Sequence, residues 1–512
     1  MASSAAKIVL LLCITLVVMQ SIIVYQMRSQ NENPIQPKIL RTLSNSMTAP
    51  FCSLEKRMQT ELKDPSNETA EPMTTRMAKK SNKASSTSTL KARKWKRCQK
   101  LISGEEKLKG TVTTTPPDSE ISAKYTPNQD CAQVLSNCFS HPPVSEEEKQ
   151  LPIAYSITLH KSARLVERIL QAIYMPNNVY CIHIDAKSSN IFLTVVKAMI
   201  RCLPNVFVAT KRTSVFWGHF SLVQAQFNCM EELLQSPVKW KYYISLVGQD
   251  FPLYDNKEIV RALQTLQNHN NINGFPVTKP QGKKFQFRTK FVHRFINNSF
   301  VRGGKKPPPP HNITIFTGAT HIIAIREFVN FVLHSQIGKD FVDFLKDTFI
   351  PDESLYGSLH QYPLVPGGIQ GKQPEWIPRA LRWRWDGKNK CCKGLWVREL
   401  CWISFLDLQW ALGEEMKMKL FVHKIPLDFR DDLLDCILVA RQGRKYGTAV
   451  WKPNETLCKD DVKITLRWDF FLVFFFIFLF FLFLCVCVCV LYKYKNNKLC
   501  YALVYKPSTS TI

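Results

Sequence analysis

The sequence predicts an α/β domain with a largely parallel sheet, and three observations lead to that expectation. From Ile153 to Asp185 the chain reads as strand, helix, strand: an apolar run over Ala154–His160, then Leu165, Val166, Ile169, Leu170 and Ile173 at helical spacing, then a second apolar run over Val179–Ile184. The alternation continues, with helices over Phe192–Leu203 and Leu222–Leu234 and strands over Val206–Ala209 and Tyr242–Val247. Pro176, Pro204 and Pro237 punctuate it, each just beyond a helical run that it stops.

Two parallel strands joined by a helix place His160 and Asp185 at one sheet edge, where open α/β sheets bind ligands. The turn Gly248-Gln249-Asp250-Phe251-Pro252 brings another carboxylate to that edge. Neither G-x-G-x-x-G nor G-x-x-x-x-G-K-[ST] occurs, so no dinucleotide fingerprint or P-loop accounts for it. Further on, Lys305–Pro310 must be an extended surface segment. Arg326–His334 and Lys339–Lys346 read as helices, and Pro351-Asp352-Glu353 would open another, with proline and carboxylates suited to a first turn.

Before this core, Ile8–Tyr25 is apolar and long enough to cross a bilayer. It has no small-x-small exit and reads as an uncleaved anchor, residues 8–25, behind a cytosolic tail of residues 1–7. Its flanks favour the opposite orientation, with Lys7 before it and Arg28, Lys38 and Arg41 after it. Residues 26–130, rich in Ser, Thr, Pro and Lys, have the composition of a disordered stem, with order beginning between Cys98 and Cys131 and the folded domain spanning 131–446.

Lys and Arg number 68 against 41 Asp and Glu, a formal charge of +27, but much of the excess falls in the stem and no nucleic-acid motif accompanies it. The 17 cysteines show no zinc-binding spacing. With sequons at Asn67, Asn297, Asn312 and Asn454 they point to disulfides in an oxidising lumen, which decides the orientation of the anchor.

Six stretches in order, PIAYSITLH, QAIYMPNNVYCIHID, NVFVAT, GQDFPL, FTGATHIIAIREFV and DTFIPDESLYGSL, give the chain a family resemblance. From about Cys98 to about Tyr446 it resembles the core 2 β-1,6-N-acetylglucosaminyltransferases, Golgi enzymes that branch mucin-type O-glycans. The resemblance implies a single-pass type II membrane protein with a GT-A-like luminal domain, a Rossmann-like nucleotide-binding sheet with flanking helices. It further implies UDP-GlcNAc as donor, a glycoprotein O-glycan as acceptor, and inversion at the anomeric carbon. No nucleic acid is implied, and a homodimer is one candidate assembly.

An inverting transferase needs one carboxylate to take the acceptor's proton, and Glu353 in PDES matches the family's base. No Asp-x-Asp occurs, and the family uses no divalent metal; Arg398 and Lys424 stand where its two diphosphate-binding cations fall. The resemblance places His160, Asp185 and Trp217 at the uridine and ribose, and Trp383 and Trp385 against the acceptor sugars. It pairs Cys98 with Cys436, Cys131 with Cys202, Cys181 with Cys229, and Cys401 with Cys392 or Cys391.

The chain also departs from the family. Trp217 stands where tyrosine is usual, Thr158 where valine is common, and WISFLDLQWAL lacks the family's glycine-containing turn. The segment GFPVTKPQGKKFQFR has no carboxylate where core 2 enzymes grip acceptor hydroxyls. Two alternatives therefore stand beside the main reading: the same fold with another UDP-sugar such as xylose, and a catalytically weak, membrane-anchored carbohydrate-binding paralogue. Residues 447–512 are atypical: Phe470–Tyr492 qualifies as a second membrane segment, yet its Phe/Leu run and alternating Cys and Val suggest translated non-coding repeat.

Overall fold

Seven residues, Ile153–Leu159 (β1), form the central strand; six are buried, without the alternation of a half-exposed strand, because both faces of the sheet are covered. The structure is a computed structural model describing residues 93–106, 116–126, 128–369, 374–384 and 391–445. All lie in the first of two units into which the chain divides, Met1–Lys452. No described helix is long and apolar enough to cross a membrane. The expected spans 8–25 and 470–492, the sequons at Asn67 and Asn454, and Trp385 lie outside the described residues.

β1 pairs in parallel with β2 (Val179–Ile184) on one side and β4 (Tyr242–Val247) on the other. β3 (Val206–Val208) extends the sheet beyond β2, and β10 (Ile323–Ile325) closes it antiparallel to β4, giving the order β10-β4-β1-β2-β3. Connections from β1 thus leave in opposite directions across the sheet, which opens a crevice at the carboxyl ends of β1 and β4. Helix α1 (Ala163–Ile173) buries Leu165, Val166, Ile169, Leu170 and Ile173, the face its spacing predicts. It starts before that pattern because Ser162 caps it and Asp118 Oδ1 accepts from Ala163 N at 2.8 Å. Helices α2 (Asn190–Ile200) and α3 (Ser221–Gln235) complete the crossovers, and α4 (Arg326–His334) and α5 (Gln336–Leu345) follow β10.

The expected stem is too long. Residues 93–103 are helical, Leu101 is buried, and Cys98 and Ile102, with Ile121 and Tyr125 after them, pack into the main core. The Lys-rich composition masked these few apolar positions. Lys94 reaches Asp435 at 3.4 Å and Arg97 reaches Asp432 at 3.2 Å, both on α7 (Asp431–Lys445).

Sequence reasoning also missed the hairpin of β7 (Phe291–Ile296) and β8 (Ser299–Lys305), turned by Asn297 and Asn298 at φ 49° and 61°. Asparagine is among the few residues that enter this left-handed region readily, so the Asn-Asn pair was the available signal. The sequon at Asn297 is exposed at this turn, and so is Asn312.

Disulfides tie the domain, among them Cys98–Cys436, Cys131–Cys202, Cys181–Cys229 and Cys392–Cys401. Cys138 and Cys391 are disulfide-bonded as well, so Cys392 is the partner of Cys401. Cys181 and Cys229 are fully buried, joining β2 to α3 across a separation of 48 residues. We expect Cys181→Ala with Cys229→Ala to lose about 2 to 4 kcal/mol in denaturant unfolding. An unchanged midpoint would show that the cross-link adds nothing to the packing already there.

Candidate active site

His160 and Asp185 directly follow β1 and β2, and Asp185 N donates to Leu159 O at 2.8 Å, so both lie at the carboxyl edge. The Asp185 carboxylate accepts from Lys187 N at 2.8 Å and from Lys187 Nζ at 3.1 Å. Lys187 Nζ also stands 4.1 Å from the Phe216 ring, next to Trp217.

The turn after β4 is spent structurally. Asp250 opens β5 (Asp250–Pro252), which pairs with β14 (Phe421–His423), itself paired with β11 (Arg379–Ala380). The Asp250 carboxylate is fully buried and accepts from Val247 N at 2.7 Å, Arg379 Nη2 at 2.8 Å and His423 Nδ1 at 2.8 Å. Burial alone would raise its pKa; the Arg379 guanidinium and then the His423 hydrogen bond outweigh burial and hold it well below the carboxylate range. What the turn delivers to the edge is therefore Lys424, the residue after β14. Burial lowers the Lys424 ammonium's pKa, the Asp250 charge opposes that, and the Arg398 charge adds to it. His160 is in the same field: desolvation and then Lys161 lower its pKa, Asp185 raises it and Lys424 lowers it.

Arg398 sits at the tip of a hairpin between β12 (Leu395–Val397) and β13 (Leu400–Trp402). Arg398 and Glu399 take φ of 49° and 66°, a left-handed pair costing about 1 to 2 kcal/mol each for residues with a Cβ. The Arg398 guanidinium lies 5.5 Å from the centroid of the Trp217 ring, which is 60% exposed. Trp383 bridges to Leu400, and Arg384 N donates to Glu399 O at 2.9 Å, placing Trp383 on the strip beside this hairpin.

Trp217 meets Phe349 edge-on at 5.7 Å, and this contact links the cationic side to Glu353. Ile350 follows at φ 54°, an outlier for a β-branched residue, held by its N–H on Gly218 O at 2.8 Å. Helix α6 (Asp352–His360) then begins, with Glu353 in its first turn as proline and acid predict. Glu353 is more than an N-terminal helix carboxylate: Oε2 accepts from Arg288 Nη1 at 2.5 Å with about a third of the side chain exposed (32%). Its carbonyl accepts from Gly318 N at 2.8 Å. A Cβ at Gly318 would come within 2.1 Å of Asn273 O, so only glycine fits the turn that runs from β9 (Phe316–Thr317). β9 in turn pairs with β6 (Phe275–Pro276), the start of the acceptor segment.

Arg288 and Asp352 are the site residues that sequence reasoning missed. Arg288 falls inside the segment noted only for lacking carboxylates, and nothing local signals a partner 65 positions away. Asp352 is buried, with no hydrogen-bond partner for Oδ1, and burial and then the Glu353 charge push its carboxyl up to about 7. Among the described residues one group has metal-ligand spacing, Cys392, Cys401 and Asp407. Its sulfurs are in a disulfide, and its carboxylate accepts from Lys393 N and Gly394 N at 2.9 Å and from Ser404 Oγ at 2.7 Å, so it offers a cation no free donor set.

The raised pKa of Asp352 has a signed consequence. The folded chain holds a proton there that the unfolded chain, titrating near pH 4, has lost, so stability falls as pH rises from about 4 to about 7. In Asp352→Asn this slope should flatten and the variant should exceed the parent in melting temperature at pH 8. Parallel melting profiles from pH 5 to pH 8 would rule the coupling out.

The family profile described as Core-2/I-Branching enzyme matches residues 153–410. The human N-acetyllactosaminide beta-1,6-N-acetylglucosaminyl-transferase is 37% identical over 308 residues, 59% of this chain and 75% of that protein. The rat beta-1,3-galactosyl-O-glycosyl-glycoprotein beta-1,6-N-acetylglucosaminyltransferase 3 is 33% identical over 374 residues, 69% of this chain and 84% of that protein. Among solved structures, the apo form of mouse xyloside xylosyltransferase 1 is 12% identical at a TM-score of 0.26, covering 44% of this chain and 87% of that one, a likeness too slight to bear on the donor. The match begins at the first residue of β1 and takes in His160, Asp185, Trp217, Glu353 and Arg398; the chain belongs to the core-2/I-branching enzyme family.

Proposed function

We propose that the chain is a Golgi type II glycosyltransferase of GT-A-like fold that transfers N-acetylglucosamine from UDP-GlcNAc to an O-glycan acceptor, in β-1,6 linkage and with inversion. The observation that carries this reading is the setting of Glu353. It is a part-exposed carboxylate fixed by Arg288 and joined through Phe349 and Trp217 to the Arg398 and Lys424 edge. The relatives named as β-1,6-N-acetylglucosaminyltransferases support the sugar and the linkage. The disulfides and the exposed sequon at Asn297 support a luminal domain.

In this mechanism Glu353 takes the proton of the acceptor hydroxyl as its oxygen attacks the anomeric carbon from the face opposite the diphosphate. The bond from that carbon to the phosphate oxygen breaks, and UDP departs with the electron pair. Arg398 and Lys424 neutralise the charge that develops on the diphosphate, the task for which other sugar transferases recruit a metal ion. Asp185 and His160, at the crevice between strand ends, hold the uridine and ribose, and Trp217 covers them. Trp383 gives the acceptor ring an apolar face.

Transfer of labelled N-acetylglucosamine by the full-length chain onto core 1 and related O-glycans tests this. The rate should survive a metal chelator and fall about 10²- to 10⁴-fold in Glu353→Gln, with UDP binding retained. Loss of activity in chelator, restored by a divalent ion, would overturn the metal-free part. Arg398→Gly should separate stability from activity. The glycine relieves the left-handed strain, so the melting temperature holds or rises while transfer drops tenfold or more. A drop in melting temperature would mean that the arginine side chain, not the enzyme's chemistry, justifies its conformation.

A further inference from the structure

No Asp or Glu occurs between Glu258 and Glu327, while eleven Lys and Arg do. This stretch includes Arg288, the partner of Glu353, so the segment around Arg288 borders the site. Phe287, 40% exposed, reaches the same place, its ring 6.2 Å from Phe349. Around them Lys279, Lys283 and Lys290 are exposed, and among the described residues none has a carboxylate within ion-pair distance.

Cations elsewhere in the domain are treated differently. Arg164 is paired with both Glu167 and Asp431 and Arg168 with Asp435, and in the acid-free stretch itself, outside residues 279–290, Arg261 pairs with Glu147 and Lys306 with Asp347. Acids are thus available for pairing, yet beside the Arg288–Glu353 pair, among the described residues, Lys279, Lys283 and Lys290 meet none. Like charges held together without counterions repel one another, and the arrangement is relieved when an anion arrives. The aromatic rings interleaved with the cations, Phe275 at 36% exposure and 6.2 Å from Phe285, and Phe287, suit the apolar faces of a sugar better than a lipid headgroup.

We infer that the acceptor is an acidic glycan, bearing a carboxylate or sulfate on the sugar that is modified or on its neighbour, which Lys279, Lys283 and Lys290 meet. This rests on the transferase reading and goes beyond it by naming the acceptor's charge. It also accounts for a segment with no carboxylate to grip neutral hydroxyls: its cations recognise charge instead.

The test uses the full-length chain with O-glycan acceptors in matched pairs, identical except for one sulfate or one sialic acid. Transfer is measured in low and high salt, and binding of the same pairs is followed by saturation-transfer NMR without donor. The acidic member should have a KM on the order of three- to tenfold lower, and the advantage should shrink in high salt. The acidic-to-neutral ratio, rather than the absolute rate, is the readout. It should collapse in Lys279→Glu, Lys283→Glu, Lys290→Glu combined, and partly in the milder Gln set should the first fail to fold. Equal or better use of the neutral member, with a ratio indifferent to salt and to both variant sets, would overturn the inference. If nothing is transferred the transferase reading fails, while the NMR arm still decides whether acidic glycans are preferred.

Discussion

The buried Asp250 carboxylate is the interaction on which the cationic half of the site depends. It is the meeting point of a backbone N–H from β4, the guanidinium of Arg379 and the imidazole of His423, all within 2.8 Å. A charged group with so little water around it is tolerable only because each carboxylate oxygen has a donor and a cation lies beside it. The geometry welds a three-stranded sheet, β11-β14-β5, to the end of β4. Gln249 completes the joint, with its amide donating to Ile425 O at 2.7 Å and its carbonyl accepting from Ile425 N at 2.9 Å. Lys424 lies between His423 and Ile425 and has no freedom to leave the sheet edge. The cation we propose for the diphosphate is thus positioned by a buried anion behind it.

The base side is supported in another way. Glu353 is set by a helix start, a glycine turn and an arginine from a distant segment, and the chain reaches that helix through Ile350 in a left-handed conformation. Arg398 and Glu399 share that kind of strain at the opposite wall. Residues forced into such regions persist only where their surroundings over-determine them, and they concentrate at sites of function. In this domain they flank the aromatic contact of Trp217 with Phe349, where the two halves of the site join.

What was legible in the sequence follows from how local its cause is. β2, β4 and α4 fall where periodicity and proline place them, because burial on both faces or on one stripe writes a short-range pattern. That His160 and Asp185 share an edge follows from the parallel pairing of the strands in a strand–helix–strand unit. The helix over 93–103 was hidden, because a few apolar residues in a Lys-rich stretch look like stem until the core that receives them is known. Arg288 and the roles of Arg379 and His423 were illegible for a different reason. Each is a long-range electrostatic match, and no spacing rule connects residues 65, 129 or 173 positions apart. The turn at Asp250 shows the hazard in reverse, since a carboxylate read as facing the edge is consumed in holding the edge together.

These supports also explain how one site can be positive on both walls and still keep a working carboxylate. The proposed donor wall gathers Lys187, Arg398 and Lys424 around the exit of a parallel sheet. The opposite wall carries Arg288 and its neighbours. Glu353 stands between them as the part-exposed acid, with Asp352 beside it buried and its carboxyl pushed up to about 7, so ionisation of both adjacent carboxyls is disfavoured. A second ionised acid there would compete with Glu353 for Arg288 and turn the carboxylate away from its line. Burying Asp352 weakens that competitor while its backbone still opens the helix, and Glu353 remains the carboxylate directed by Arg288 in a positive setting.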